Sequence, residues 1–150
     1  MKKTGSFISL ICFCLIMGSC ASLSKKIVYD KILFGKGGGF TGKYDEYFLG
    51  KNGNIYKKDA TTNAFTIIKD LSRKETISIF KQIDTDALFE LGFNYPYNIT
   101  CYIEIVKGSV TNRIAWGDAK NPPPAAVTLL FDKLMGYVNI VKPSSNNQKK

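Results

Sequence analysis

The chain contains no histidine, and only 4 of its 150 residues are cysteine. Histidine is the commonest general base and the commonest metal ligand in proteins, so its absence removes the usual starting point for catalysis. Two of the cysteines, Cys12 and Cys14, lie in an apolar segment near the N-terminus, which leaves too few thiolates for a cysteine-rich metal site. We therefore expect no metal, no other cofactor and no enzymatic activity.

Long apolar runs without charge are also missing. The longest run, from Phe7 to Met17, has about 11 residues, whereas a helix needs about 20 to span a bilayer. A basic head at Lys2 and Lys3 precedes this run, and the small residues Gly18 and Ser19 follow it, just before Cys20. A basic head, a short apolar run and small residues at the end are typical of a cleaved export signal. Residues 1–19 are predicted to be removed.

This N-terminal pattern resembles the signal peptide of bacterial lipoproteins, with Met17 at a position where leucine is usual. The resemblance implies that Cys20 carries a lipid and begins the mature chain, so that residues 20–26 tether a domain to the membrane. Residue 21 is alanine rather than aspartate, which by the same resemblance favours the outer membrane. No acidic run follows Cys20, so we expect the domain to face the periplasm.

The remaining 131 of the 150 residues are enough for one domain, predicted to cover residues 27–142, with a disordered polar tail at 143–150. Apart from Cys20, the mature chain has one cysteine, Cys101, so no intrachain disulfide is expected. Cys101 lies in an alternating apolar segment, and this position predicts a small buried side chain rather than a reactive thiol.

Acidic residues are scarce: the chain has 21 basic and 12 acidic residues, a net charge of +9. The basic residues are scattered, which indicates a solvated surface; attraction to anionic head groups or other acidic polymers is the alternative. We do not expect a nucleic-acid partner, because no platform of interleaved aromatic and basic residues occurs. The expected partners are the membrane, through the N-terminal lipid, and an unidentified envelope protein or polymer.

The hydrophobic pattern predicts an α+β domain of order ββββ-α-ββ-α, an antiparallel sheet with helices packed on one face. The first helix should begin at the capping box formed by Ser72 and Glu75, and the second should follow the prolines at 122–124. The expected strands are 27–34, 44–49, 54–58, 64–69, 99–105 and 110–116. The core-facing residues are predicted to be Ile77, Phe80, Ile83 and Ala87 in the first helix and Val127, Leu130, Phe131, Leu134 and Val138 in the second.

Residues 35–42 contain five glycines, a density that argues against a helix or a strand interior because glycine loses much backbone entropy on ordering. A dinucleotide-binding loop would need a helix next, but the sequence continues as a strand. We therefore predict a wide turn or a bulge with Phe40 held in the core. The residues proposed for a ligand or a partner are Gly37, Gly38, Gly39, Phe40, Gly42, Trp116 and Asp118. For Asp118 the alternative is a structural role at the start of the following loop or as a helix cap.

Together with the composition, the Gly-Gly-Phe segment and Trp116-Gly117-Asp118 resemble small lipoproteins of Bacteroidota, a family with no established activity. The segment Gly38-Gly39-Phe40-Thr41-Gly42 is also similar to the Gly-Gly-Phe-Ala-Gly segment of emfourin-type inhibitors of thermolysin-like proteases.

Three hypotheses of function follow. The first is a non-enzymatic lipid-anchored protein that binds a partner or maintains the envelope. The second is an inhibitor of secreted metalloproteases that acts through the glycine-rich loop. The third is a small hydrolase with a pair of carboxylates.

Overall fold

The computed structural model describes residues 27–139, which form one seven-stranded sheet and two α-helices. The predicted α+β class is confirmed. The observed order is ββββ-α-βββ-α, with one more strand than the sequence predicted. The predicted signal at 1–19, the lipidation at Cys20, the tether at 20–26 and the tail at 143–150 lie outside the described residues, as do the last three residues of the predicted domain.

The elements are β1 (Lys31–Gly38), β2 (Lys43–Gly50), β3 (Asn54–Lys58), β4 (Phe65–Asp70), α1 (Arg73–Thr85), β5 (Asn94–Tyr95), β6 (Ile99–Lys107), β7 (Val110–Trp116) and α2 (Ala125–Asn139). The sheet has the strand order β4-β3-β2-β1-β6-β7-β5, and only the contact between β5 and β7 is parallel. One turn of 3-10 helix lies between β1 and β2, and another follows α1 at Leu88–Glu90.

Local sequence signals set several of these boundaries. The capping box is present: the backbone N–H of Glu75 donates to Ser72 Oγ at 3.3 Å, and that of Ser72 donates to a Glu75 carboxylate oxygen at 3.0 Å. Between β2 and β3, Gly53 takes the positive φ of 95° that the turn requires. The prolines end at Pro124, whose carbonyl accepts from the backbone N–H of Val127 in the first turn of α2.

The hydrophobic core lies between one face of the sheet and the two helices. Its sheet side includes Ile32, Phe34, Leu49, Ile55, Ile103, Ile105 and Ile114. The five residues predicted for α2 are all buried, which confirms that stripe. The stripe predicted for α1 is only partly right, because the buried residues are Thr76, Ile79, Phe80 and Ile83. Ile77 is half-buried, and Ala87 is exposed because it lies beyond the end of α1 with a positive φ of 50°.

The opposite side of the sheet, here called the open face, carries aromatic and charged side chains. The rings of Phe48 and Tyr56 stack at 4.3 Å, and Phe65 meets Phe48 edge-on at 5.0 Å. The sequence predicted β6 to be half-buried, yet Thr100 and Tyr102 on this side are also buried. Tyr102 is covered by the guanidinium of Arg113 and by the ring of Tyr44, and the Thr100 hydroxyl is hydrogen-bonded to the backbone of Tyr97.

Candidate partner-binding site

The first half of the glycine-rich segment, residues 35–38, is strand, which corrects the prediction that the segment could not form a strand interior. β1 continues through Gly35, Gly37 and Gly38, and Gly38 pairs with Lys43 on one side and with Ile99 on the other. A Cβ atom on Gly35 would lie 2.3 Å from the carbonyl oxygen of Asp45. Glycine occurs here because neighbouring atoms fill the space of a side chain, not because the chain turns.

The turn that joins β1 to β2, here called the tip, is short and hydrogen-bonded. Gly39–Thr41 form one turn of 3-10 helix, and the φ angles of Gly38, Gly39 and Gly42 are all positive, between 62° and 105°. The backbone N–H of Gly42 donates to the carbonyl of Gly39 at 3.2 Å, and the N–H of Gly39 donates to the carbonyl of Asn98 at 2.6 Å. The tip is therefore fixed both within itself and to the segment before β6.

Phe40 lies at the centre of the tip and is fully exposed, with a relative accessibility of 108%. The prediction that it is held in the core is wrong. β1 and β2 stay paired as far as Gly38 and Lys43, so the residues between them project beyond the end of the sheet and cannot turn back to the core. An aromatic ring in this position offers a partner a large apolar contact.

The structure places Trp116 and Asp118 near the same end of the sheet as the tip. The N–H of Asp118 donates to the carbonyl of Tyr95 at 3.3 Å, while the tip is bonded to the nearby Asn98. The Trp116 ring, however, packs edge-on against Phe131 of α2 with the ring centres 5.0 Å apart. Trp116 therefore belongs to the boundary of the core and is not presented with Phe40.

Asp118 has the structural role that was its alternative in the sequence. Its carboxylate accepts from the backbone N–H of Lys120 at 3.0 Å and from the side-chain amide of Asn121 at 2.7 Å. These two bonds, the first more than the second, lower the pKa of the carboxyl group. They organise the loop that leads to α2, so Asp118 is not part of the candidate site.

Two concave surfaces border the tip. Their walls include Gly37, Gly38 and Gly42, which the sequence proposed, together with lysines that it did not. A groove of about 570 Å³ lies between the hairpin and the end of α2, with Lys36, Lys43, Tyr47 and Met135 in its wall. A smaller pocket of about 280 Å³ lies beside it, and Tyr44 lines both. Lys36 lies within the glycine-rich segment and Lys43 directly follows it, and these two positions were the available signal for basic residues beside the tip.

The open face below the tip carries a network of charges around Tyr102. The hydroxyl of this buried tyrosine donates to Glu46 at 3.1 Å, and the guanidinium of Arg113 lies 3.9 Å from the centre of its ring. Burial, with a further contribution from Glu46, raises the pKa of the Tyr102 hydroxyl. Glu46 also pairs with Lys58 and Glu104 with Arg113, so both carboxylates are neutralised by a cation. This network holds the hairpin that carries the tip.

No protein-family model matches the chain, and no curated protein sequence matches it. Within residues 27–139, no group of three or more histidine, cysteine, aspartate or glutamate side chains could hold a metal ion. Across the same residues, neither helix has the length and hydropathy needed to cross a membrane.

Proposed function

We propose that the protein is a non-enzymatic binding protein of the cell envelope, anchored by a lipid on Cys20, that holds a partner protein through the tip. The observation that carries this proposal is the complete exposure of Phe40 on a hydrogen-bonded turn. Aromatic side chains are enriched among the few residues that supply most of the binding energy in protein interfaces.

The rigidity of the tip supports this role. Binding costs free energy when it must order a loop, and a turn that is already hydrogen-bonded avoids part of that cost. The bond from Gly39 to Asn98 anchors the turn to the β6 side of the sheet. Lys36 and Lys43 line the groove beside the tip, against Asp45 as the one acidic residue in its wall, and this charge favours a partner with acidic groups around an apolar pocket.

The anchor is supported by the sequence pattern that ends at Cys20. In bacteria that process lipoproteins, Cys20→Ala should block cleavage of the signal and remove the protein from the detergent phase of a phase-separation assay. Unchanged partitioning of this variant would contradict the lipid anchor while leaving the role of Phe40 intact.

Phe40→Ala tests the binding role. The variant should capture at least tenfold less of the partner from cross-linked envelopes, since loss of a central aromatic contact costs about 2–4 kcal/mol. Its free energy of unfolding should stay within about 0.5 kcal/mol of the wild-type value, because the ring makes no contribution to the core. The matched control is Phe65→Ala, which removes a half-exposed aromatic side chain from β4. Equal capture by the Phe40→Ala variant and the wild type would contradict the proposal.

A secreted metalloprotease is the partner class that a specific observation favours. The Gly-Gly-Phe-Thr-Gly sequence forms the tip, and its phenylalanine projects from the end of the hairpin. A single apolar side chain on a narrow hairpin can enter a concave, apolar ligand-binding site such as the cleft of a protease. The protein should inhibit a thermolysin-like protease at micromolar concentration, and Phe40→Ala should abolish inhibition while Phe65→Ala preserves it. Absence of inhibition by the wild-type protein would exclude this partner class only. Nothing in residues 27–139 favours the hydrolase alternative.

A further inference from the structure

The chain enters the sheet at the end opposite to the tip. β1 has eight residues from Lys31 to Gly38, which at about 3.3 Å per residue separates its two ends by about 25 Å. Three segments lie together at the end of the sheet where β1 begins: residues 28–31, the β2–β3 turn at Lys51 and the β6–β7 turn at 107–110. We call this surface the base. The N–H of Lys51 donates to the carbonyl of Asp30, and the N–H of Gly108 donates to the Asp30 carboxylate at 2.8 Å.

The base is basic. It carries Lys31, Lys51 and Lys107 against one acidic residue, Asp30, which pairs with Lys51 at 3.1 Å. Within residues 27–139, Lys31 and Lys107 form no ion pair. Their ammonium groups lie over aromatic rings instead, 5.6 Å from the ring centres of Phe48 and Phe89, respectively, so no carboxylate neutralises either charge.

The other charged groups near the base do not make its net charge negative. Lys81 and Asp84 of α1 line one small pocket together with Val28, and their charges offset each other. The carboxylate of Glu90 is close enough to Tyr29 to help raise the pKa of its hydroxyl, and it lowers the net charge around the base by one. At the start of α1, beside the β2–β3 turn, the charges cancel: Asp70, which lies next to Gly53, and Glu75 are offset by Arg73 and Lys74. The base also exposes two apolar side chains, Val28 at 50% and Val110 at 57%.

We infer that the base rests on anionic lipid head groups and thereby points Phe40 away from the membrane. This inference rests on the proposed lipid at Cys20. Residues 20–26 reach at most about 25 Å when fully extended, so the anchor keeps the base close to the surface. Lysines are attracted to an anionic leaflet within a Debye length of about 10 Å, so lysines at the end of the domain nearest the anchor are the ones that this attraction reaches.

The consequence for the partner is geometric. An upright domain places the tip at the far end of a sheet about 25 Å long, outside the layer of head groups. The partner that fits this arrangement is a soluble protein of the aqueous compartment, rather than a protein buried in the same bilayer.

The test uses the full-length lipidated protein in vesicles of phosphatidylglycerol and phosphatidylcholine, with a spin-labelled lipid whose head group quenches fluorescence. Ser109→Cys places a fluorophore in the base and Thr41→Cys places one in the tip, each with Cys101→Ser to remove the native thiol. The Ser109 probe should be quenched at least twofold more than the Thr41 probe. The double variant Lys31→Gln/Lys107→Gln should lower the quenching of the Ser109 probe to the level found in vesicles of phosphatidylcholine alone. The control Lys120→Gln, which removes an exposed lysine near the tip end, should leave it unchanged.

Equal quenching of the two probes, or stronger quenching of the Thr41 probe, would overturn the inference. Quenching at Ser109 that is the same in neutral and anionic vesicles would overturn the role of the lysines. A Ser109 probe shielded from both the lipid quencher and aqueous iodide would show that a protein, such as a second copy, covers the base instead. Failure of the wild-type protein to associate with vesicles at all would contradict the lipid anchor itself. The capture of a partner protein through Phe40 does not depend on this result, because the Phe40→Ala variant tests it separately.

Discussion

Gly35 illustrates how one residue depends on its neighbours. A Cβ atom at this position would meet the carbonyl oxygen of Asp45 at 2.3 Å and the Tyr102 ring at 3.1 Å. Gly35→Ala should therefore lower the free energy of unfolding by about 1–3 kcal/mol, measured by urea denaturation. Gly92→Ala is the control, because a Cβ atom there meets nothing within 4 Å, and its effect should stay within about 0.5 kcal/mol. Equal stability of the two variants would contradict the close packing around Gly35.

The same residues show why the glycine-rich segment was predicted incorrectly. The number of glycines indicates how much backbone entropy the segment loses when it forms a strand. It does not indicate that Gly35 pairs with Tyr102 of β6, which lies 67 positions later in the sequence. The exposure of Phe40 has a similar origin. Hydrophobic pattern alone favours burial of an isolated aromatic residue, whereas the pairing of Gly38 with Lys43 leaves it beyond the end of the sheet.

At the scale of a single element, the start of α1 depends on its capping box. Ser72→Ala removes the acceptor of the Glu75 backbone N–H, which lies at 3.3 Å, and should lower the free energy of unfolding by about 1 kcal/mol. The control is Ser78→Ala, an exposed position within the same helix. Ser78→Ala should not destabilise the protein, because alanine is the better helix former. The capping role would be wrong if the two variants were equally stable.

The capping box also gives α1 a pH dependence. The side chain and then the backbone N–H of Ser72 lower the pKa of Glu75 below its usual value. A carboxyl group with a lower pKa in the folded state stabilises the protein above the unfolded pKa, which is about 4.3, and this contribution is lost as the pH falls through the folded value. The difference in stability between the wild type and Ser72→Ala should therefore shrink between pH 7 and pH 3. Urea titrations at pH 7, 4 and 3 measure it, and a constant difference would contradict the role of Glu75.

Asn112 connects β7 to the turn after α1. It is a polar residue on the same side of β7 as the buried Ile114, and the structure shows the reason: its amide donates to the carbonyls of Leu88 and Leu91 at 3.0 and 3.1 Å. Asn112→Ala leaves both carbonyls without this donor and should cost about 1–3 kcal/mol in urea denaturation. Thr111→Ala, at the exposed neighbouring position, should cost less than about 1 kcal/mol. A smaller effect at Asn112 than at Thr111 would show that the amide does not hold the turn.

Elements with a strong periodic pattern were predictable, and short ones were not. The five buried positions of α2 follow a regular spacing and match the structure, as do the bounds of β3 and β7. β5 has two residues, and its parallel contact with β7 depends on where the chain returns after α1. No local pattern contains that information. The stripe of α1 was shifted because Thr76, a polar residue by type, is buried and donates its hydroxyl to the carbonyl of Ser72.

At the scale of the whole molecule, one core joins both helices to the sheet. It extends from Ile55 on β3 through β1 and β6 to Ile114 on β7, and it includes buried residues of α1 and α2. Trp116, the one tryptophan of the chain, reports on the edge of this core because its ring packs against Phe131. A small domain with a single continuous core is expected to unfold in one cooperative transition.

Unfolding in urea should therefore give coincident curves for Trp116 fluorescence and for far-ultraviolet circular dichroism. The fluorescence follows the contact between α2 and β7, whereas the dichroism follows all helices and strands. Phe131→Ala, which removes the ring against Trp116, should lower both midpoints together and cost about 3–5 kcal/mol, the usual loss for a buried phenylalanine. Phe65→Ala on the open face is the control and should shift both midpoints less, because that side chain is half-exposed. A fluorescence midpoint clearly below that of the dichroism would mean that α2 separates from the sheet first. The tip would then keep its structure after the helix had left, because it is bonded to Asn98 beside β6.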